Sequence, residues 1–155
     1  MRGLVQRVTR ASVTVDHVVV GAIGPGLCVL IGVTHGDDEA AARKLADKIW
    51  GLRVFEDGEG RMNLSLSDLA ATGGAEAAGV LVVSQFTLYA DLKRGRRPSF
   101  DAAMPPEEAE RAYEAFVAEA RALGLTVATG RFRADMKVSS LNDGPVTIWV
   151  DSANR

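Results

Sequence analysis

With a single cysteine, Cys28, the 155-residue chain has no partner for an intramolecular disulfide, a CxxC redox pair or a thiolate zinc site. Cys28 lies inside an apolar run and reads as a buried structural thiol. That run, residues 27–33, is the longest and is interrupted by Gly32. A membrane-spanning helix needs about 20 apolar residues, so none is expected. Near the start, Gln6, Arg7 and Arg10 break up any secretory apolar segment of about 7–15 residues, and the expectation is a cytosolic protein. Histidine is nearly as scarce. His17 and His35 fall in or beside predicted turns, no sequence feature couples either to a serine or cysteine, and neither comes with metal-ligand spacing. The glycine-rich phosphate loop, the dinucleotide fingerprint, the GxSxG elbow and HExxH are all missing, which excludes P-loop nucleotide hydrolysis. No metal and no cofactor is expected.

What is present looks like an ordinary globular chain. Hydrophobic residues make up 47% and charged residues 25%, so disorder and low complexity are excluded and a sizeable core is possible. The length fits one domain over residues 1–155. Residues 11–16 alternate apolar and polar, the period of a half-buried strand that residues 4–9 begin, and Val18-Val19-Val20 follows. Gly24-Pro25-Gly26 is a turn before the buried strand 27–33. Asp37 or Asp38 is placed to cap a helix whose apolar positions, Ala42, Leu45, Ala46, Ile49 and Trp50, lie on one face. Residues 52–55 read as a short strand and the acidic run Glu56, Asp57, Glu59 as a solvated turn. Residues 70–78, rich in Ala and Gly, read as an exposed connection. Val80-Leu81-Val82-Val83 is a second buried strand. Pro105-Pro106 opens a helix with Glu107 and Glu108 in its first turn, an apolar stripe from Ala109 to Leu123, and Gly124 as its stop. Two helices and about seven strands predict an α/β or α+β domain.

Three segments carry polar groups where chemistry is possible. Ser84-Gln85-Phe86-Thr87 emerges at the end of a core strand, a common ligand position in α/β sheets. On local pattern alone, the favoured reading is that Ser84 and Thr87 bond nearby backbone. Asn142-Asp143-Gly144-Pro145 reads as a tight turn before a strand over 146–150. The loop Lys93-Arg94-Gly95-Arg96-Arg97 concentrates four positive charges in a chain of net charge −2, leaving −6 on the remainder. A solvated basic turn is the ordinary reading. Flanking Tyr89 and Phe100 favour a second one, in which cations meet phosphate and aromatics meet bases.

The ordered set Val5-Gln6-Arg7-Val8, Gly24-Pro25-Gly26-Leu27, Gly32-Val33-Thr34, Met62-Asn63-Leu64, Ser84-Gln85-Phe86-Thr87-Leu88, Gly95-Arg96-Arg97-Pro98-Ser99-Phe100, Ala134-Asp135-Met136 and Asn142-Asp143-Gly144-Pro145-Val146-Thr147 resembles the D-aminoacyl-tRNA deacylase family over nearly the whole chain. The resemblance implies hydrolysis of the ester joining a D-amino acid, or glycine, to the 3′ end of tRNA, by a homodimer with a compact β-barrel-like core and flanking helices. It implies that Ser84, Gln85, Phe86 and Thr87 form the catalytic segment. Gly144 and Pro145 would form a cis Gly-Pro motif that reaches the partner's pocket and rejects L-amino acids. Arg7 would support that motif and Met136 would line the pocket, while Lys93, Arg94, Arg96 and Arg97 would hold the tRNA end.

Physical chemistry bears on these implications. A thousandfold chiral preference needs roughly 4 kcal/mol, whereas a methylene-sized fit in a soft pocket gives about 1–3. Rejection therefore calls for rigid backbone, which Gly144-Pro145 is suited to supply. No base is tied in sequence to Thr87, so attack by water, with backbone N–H groups near Phe86 and Thr87 stabilising the oxyanion and the ribose 2′-OH assisting, is preferred over a threonine nucleophile. A non-catalytic tRNA-binding module and a hydrolase of small D-peptides or esters are the competing readings.

Overall fold

The computed structural model describes residues 1–93 and 95–153. Its elements, in chain order, are β1 (Arg2–Val15), β2 (Val18–Ile23), β3 (Gly26–Gly32), α1 (Glu39–Trp50), β4 (Phe55–Glu56), β5 (Met62–Leu64), α2 (Leu66–Gly73), β6 (Gly79–Ser84), α3 (Pro106–Ala122), β7 (Thr126–Thr129) and β8 (Lys137–Asp151). Two 3₁₀ turns, Gly74–Glu76 and Phe86–Tyr89, complete the set. The main sheet runs β2-β1-β3-β6-β7, and β8 lies along the other edge of β1. A hairpin makes β2 antiparallel to β1, and β3, running on in the direction of β2, pairs antiparallel with the first half of β1. The helical crossovers through α1 and α3 bring β6 and β7 in parallel to their neighbours, as long connections do. At the far side β2 returns to β7, where a methyl placed on Gly21 would meet the Thr129 carbonyl at 2.3 Å, so the sheet is a nearly closed barrel.

Strand alternation divides the core in two. On β3 and β6, Leu27, Val29, Ile31, Val80 and Val82 face the helices, while Cys28, Leu81 and Val83 face the barrel interior with Val8, Ala11, Val13, Val15 and Ile23. α1 buries the five residues its spacing predicts and is capped by Asp38, whose carboxylate accepts the Ala41 N–H at 2.9 Å. α3 starts at the two prolines and buries Ala109, Ala112, Tyr113, Phe116, Val117 and Ala120. Trp50 meets Phe116 between these two helices, ring centroids 5.3 Å apart.

Four readings of the sequence need correction. A third helix, α2, extends into residues 70–73, started by a reciprocal Ser65–Asp68 capping box. Most of the 70–78 segment is exposed, but Ala78 is buried. The strand expected over 52–55 narrows to Phe55–Glu56. Residues 142–145 are not a turn between elements but a looped-out part of the continuous strand β8.

Cys28 is 1% exposed, and burial pushes its thiol up to about 11. The folded protein holds it protonated, so the stability tied to the neutral thiol is present below pH 9 and is lost as pH climbs toward 11. At pH 8 a thiol reagent is expected to leave the native chain unmodified for hours and to label it within minutes in denaturant. Rapid native labelling would show the interior is open.

Candidate active site

The buried strand β6 stops at Ser84 because Gln85 turns the chain out of the sheet, its N–H still bonded to the Ile31 carbonyl at 2.7 Å. The chain then tightens into the Phe86–Tyr89 turn, closed by Leu88 N–H to Gln85 carbonyl at 3.3 Å and Ala90 N–H to Thr87 carbonyl at 3.0 Å. The N–H groups of Phe86 and Thr87 open this turn, positions that have no acceptor inside it. The Gln85 side-chain amide donates to the Thr87 hydroxyl oxygen, and among the described residues no histidine or carboxylate bonds that hydroxyl. Thr87 thus has a neutral partner and no base.

Beside this strand end is a cavity of about 580 Å³. Its lining includes Ser84, Gln85 and Phe86 together with Tyr113, Phe132, Met136 and Val138. The lining is mostly apolar, as ligand pockets are, with few polar groups to fix orientation. The Tyr113 hydroxyl is occupied, donating to the Val82 carbonyl at 3.0 Å, and burial raises its pKa. His35, exposed as its turn position predicts, also borders the cavity with Nε2 2.9 Å from the Asp101 carbonyl. Thr34 Oγ1 donates to the Ala102 carbonyl at 2.5 Å, and Met104 N–H to the Val33 carbonyl at 3.0 Å. These bonds clasp the 99–104 segment onto the end of β3. Among the described residues no group of three or more His, Cys, Asp and Glu gathers in a way that could hold a metal ion.

The basic loop follows the Phe86–Tyr89 turn in the chain. Asp91 and Ser99 exchange both backbone hydrogen bonds, at 2.8 and 2.9 Å, and pinch its base. Lys93, Arg96 and Arg97 are exposed, whereas Arg94 lies outside the described residues. Phe86, 57% exposed, packs edge-on against Phe100 at 5.0 Å. Tyr89 does not share this role: it is buried, with the Arg2 guanidinium 4.2 Å from its ring centre.

Gly144 and Pro145 sit elsewhere. Opposite β1, the pairing jumps from Gln6↔Thr147 to Val8↔Asn142, leaving Arg7 alone to face the looped-out residues. Arg7 is buried; its Nη1 donates to the Val54 carbonyl at 2.6 Å and its Nε is 3.2 Å from Asp143 Oδ2. Asn142 closes the loop with its side chain, Oδ1 accepting the Val146 N–H at 3.2 Å and Nδ2 donating to Thr147 Oγ1 at 2.8 Å. The Gly144–Pro145 peptide bond is cis, and Gly144 has φ +118°. Neither residue, nor Arg7 or Thr87, lines the 580 Å³ cavity, so one chain unites Ser84, Gln85, Phe86 and Met136 and leaves the Gly-Pro loop apart. Sequence reasoning missed Asn142 and Arg2 as structural partners of these segments. Their partners are recognisable only once the strands have paired.

The fold recurs in solved structures. A chain described as c-Myc DNA unwinding element binding protein superposes with a TM-score of 0.89, at 41% identity over 99% of this chain and 100% of its own. A probable eukaryotic D-amino acid tRNA deacylase, 18% identical, shares the fold with a TM-score of 0.79 over 97% and 98%. The family model for D-Tyr-tRNA(Tyr) deacylase matches residues 4–151, and the chain belongs to that family. Among its relatives, the D-aminoacyl-tRNA deacylases of Symbiobacterium thermophilum and Heliobacterium modesticaldum are each 60% identical, over 98% and 97% of this chain and 96% of their own length.

Proposed function

We propose that the chain is a carboxylic ester hydrolase that releases D-amino acids, and glycine, from the 3′ end of tRNA in the cytosol. The observation that carries this reading is the 60% identity, end to end, with proteins named D-aminoacyl-tRNA deacylase. Water adds to the ester carbonyl, the bond to the ribose 3′ oxygen breaks, that oxygen takes a proton, and the amino acid leaves as its carboxylate. In this reading the Phe86 and Thr87 N–H groups receive the developing oxyanion and the ribose 2′-OH assists the water. Support comes from Thr87, whose hydroxyl is engaged by the Gln85 amide and has no base. Ser84, Gln85 and Met136 all line the cavity. Lys93, Arg96 and Arg97, with Arg94, are proposed to hold the phosphates of the tRNA end beside exposed Phe86.

A second copy of the chain would complete the site. β8 is an edge strand of 15 residues with only β1 as a strand partner among the described residues, and it exposes Val138, Leu141 and Trp149. Such an edge normally needs cover. A two-fold dimer through this face would carry each Gly144-Pro145 loop, braced by Arg7, toward the other subunit's cavity. There its rigid backbone would grip the substrate amino group and exclude an L-side chain.

D-tyrosyl-tRNA is expected to be deacylated at least about a thousandfold faster than L-tyrosyl-tRNA, a difference of roughly 4 kcal/mol. Thr87→Ala should retain turnover within about tenfold, since no nucleophile is lost. Slow release indifferent to chirality would favour a binding module; release from a minimal D-ester without RNA would favour a small-ester hydrolase. An inactive but folded Thr87→Ala would restore the threonine nucleophile. Neutralising Arg96 and Arg97 together should flatten the slope of log affinity against log salt by roughly 1–2, as each lost phosphate contact removes about 0.7–0.9. An unchanged slope would remove the loop from the tRNA contact.

A further inference from the structure

A four-residue 3₁₀ turn has little stability of its own, so amides that must meet an oxyanion need outside support. On its inner side the Phe86–Tyr89 turn rests on β3, where a methyl on Gly32 would meet Leu88 Cβ at 3.0 Å and the Gln85 carbonyl at 3.1 Å. From outside the turn a side chain takes one of its carbonyls: Arg2 Nη1 donates to the Leu88 carbonyl at 3.1 Å. The same guanidinium donates from Nε to Asp151 Oδ2 at 3.1 Å, lies 4.2 Å from the Tyr89 ring centre and 5.4 Å from that of Trp149. Arg2 and Asp151 face each other across β1 and β8. One planar group therefore ties the first residue of β1, the end of β8 and the candidate oxyanion turn together. We propose that Arg2 is a positioning residue for deacylation, fixing the Phe86 and Thr87 amides through the Leu88 carbonyl.

Partial burial alone would raise the Asp151 carboxyl, but the Ala153 N–H, the Arg2 guanidinium and the N-terminal amine together hold it below the ordinary carboxylate value. Asp151 thus stays ionised and keeps the guanidinium oriented. Lysine cannot replace this arrangement in full: it lacks the planar fork that donates in two directions while lying on an aromatic face. The inference rests on the oxyanion role proposed for the turn, and its test separates the two.

Arg2→Met, Arg2→Lys and Asp151→Asn are made in the full chain, and D-tyrosyl-tRNA turnover is measured beside amide hydrogen exchange at Leu88 and Ala90. Arg2→Met is expected to lower kcat about tenfold, a part of the 10²–10³ lost when an oxyanion donor itself is removed. KM should stay within about twofold, and exchange at the two turn amides should accelerate. Arg2→Lys should fall between, and Asp151→Asn should add little to Arg2→Met because both act through one contact. Unchanged exchange in Arg2→Met would overturn the positioning role. Faster exchange with unchanged kcat would overturn the catalytic consequence and with it the oxyanion role of the turn. Should Arg2→Met fail to fold, Asp151→Asn decides by the same two readouts.

Discussion

Gly26→Ala is expected to leave no folded chain. At this position β3 begins beside β6 with φ +152°, and a methyl would lie 1.9 Å from the Gly79 carbonyl oxygen and 2.7 Å from the Gly79 nitrogen. Both obstructions are backbone, and the Gly79 N–H is itself bonded to the Pro25 carbonyl at 2.8 Å, so no flexible side chain is available to move aside. Relief would require parting β3 from β6, the two strands that carry both halves of the core. The cost should exceed about 4 kcal/mol, the range reserved for strain at special backbone positions. A loss of that size approaches the whole of the native stability at the low end of its usual range, roughly 5–15 kcal/mol. Soluble yield, far-ultraviolet circular dichroism and a urea titration measure it; a cooperative transition within about 0.5 M of the parent midpoint would show that the strands accommodate the methyl.

Gly144→Ala should do the opposite, sparing the fold and removing the activity. Here φ is +118°, and the added methyl would meet Val146 Cγ2 at 2.9 Å and Arg7 Nη2 at 3.1 Å. The loop lies exposed at the sheet edge, so it is free to shift outward, taking Asp143 and the Arg7 contact with it. The expected melting temperature therefore changes by only a few degrees. Turnover of D-tyrosyl-tRNA should fall by about 10² or more, the usual penalty for displacing a substrate-positioning group by 1 Å. The preference over L-tyrosyl-tRNA should narrow as well. Parent rates and parent selectivity in a folded Gly144→Ala protein would remove the loop from chiral rejection.

The two long helices were legible because their apolar residues recur at helical spacing and their ends carry an aspartate cap or paired prolines. α2 was not, since Ala and Gly between residues 70 and 79 hide it and its only clear signal is the Ser65–Asp68 box just before. The buried strands around Cys28 and Leu81 were readable as apolar runs, but which residues face the helices and which the barrel depends on pairing. For the site, the strand end at Ser84 and the pinched basic loop stand where the sequence puts them. Residues 142–145 look like a turn because glycine, proline and asparagine serve a looped-out strand for the same conformational reasons. Tyr89 looked available for stacking and is instead covered by Arg2, 87 positions earlier in the chain. No local pattern encodes such a contact.

The parallel course of β3 and β6 separates two kinds of tolerance to sequence change. Their starts are welded by Gly26 and Gly79, while their ends open onto the cavity and its clasped loops. Substitutions that reshape substrate preference can accumulate in the 19 residues between Gln85 and Pro105 without drawing on the stability held at the opposite rim. A laboratory library confined to that stretch should therefore yield mostly folded variants with altered turnover, and one confined to the first residues of either strand mostly unfolded ones.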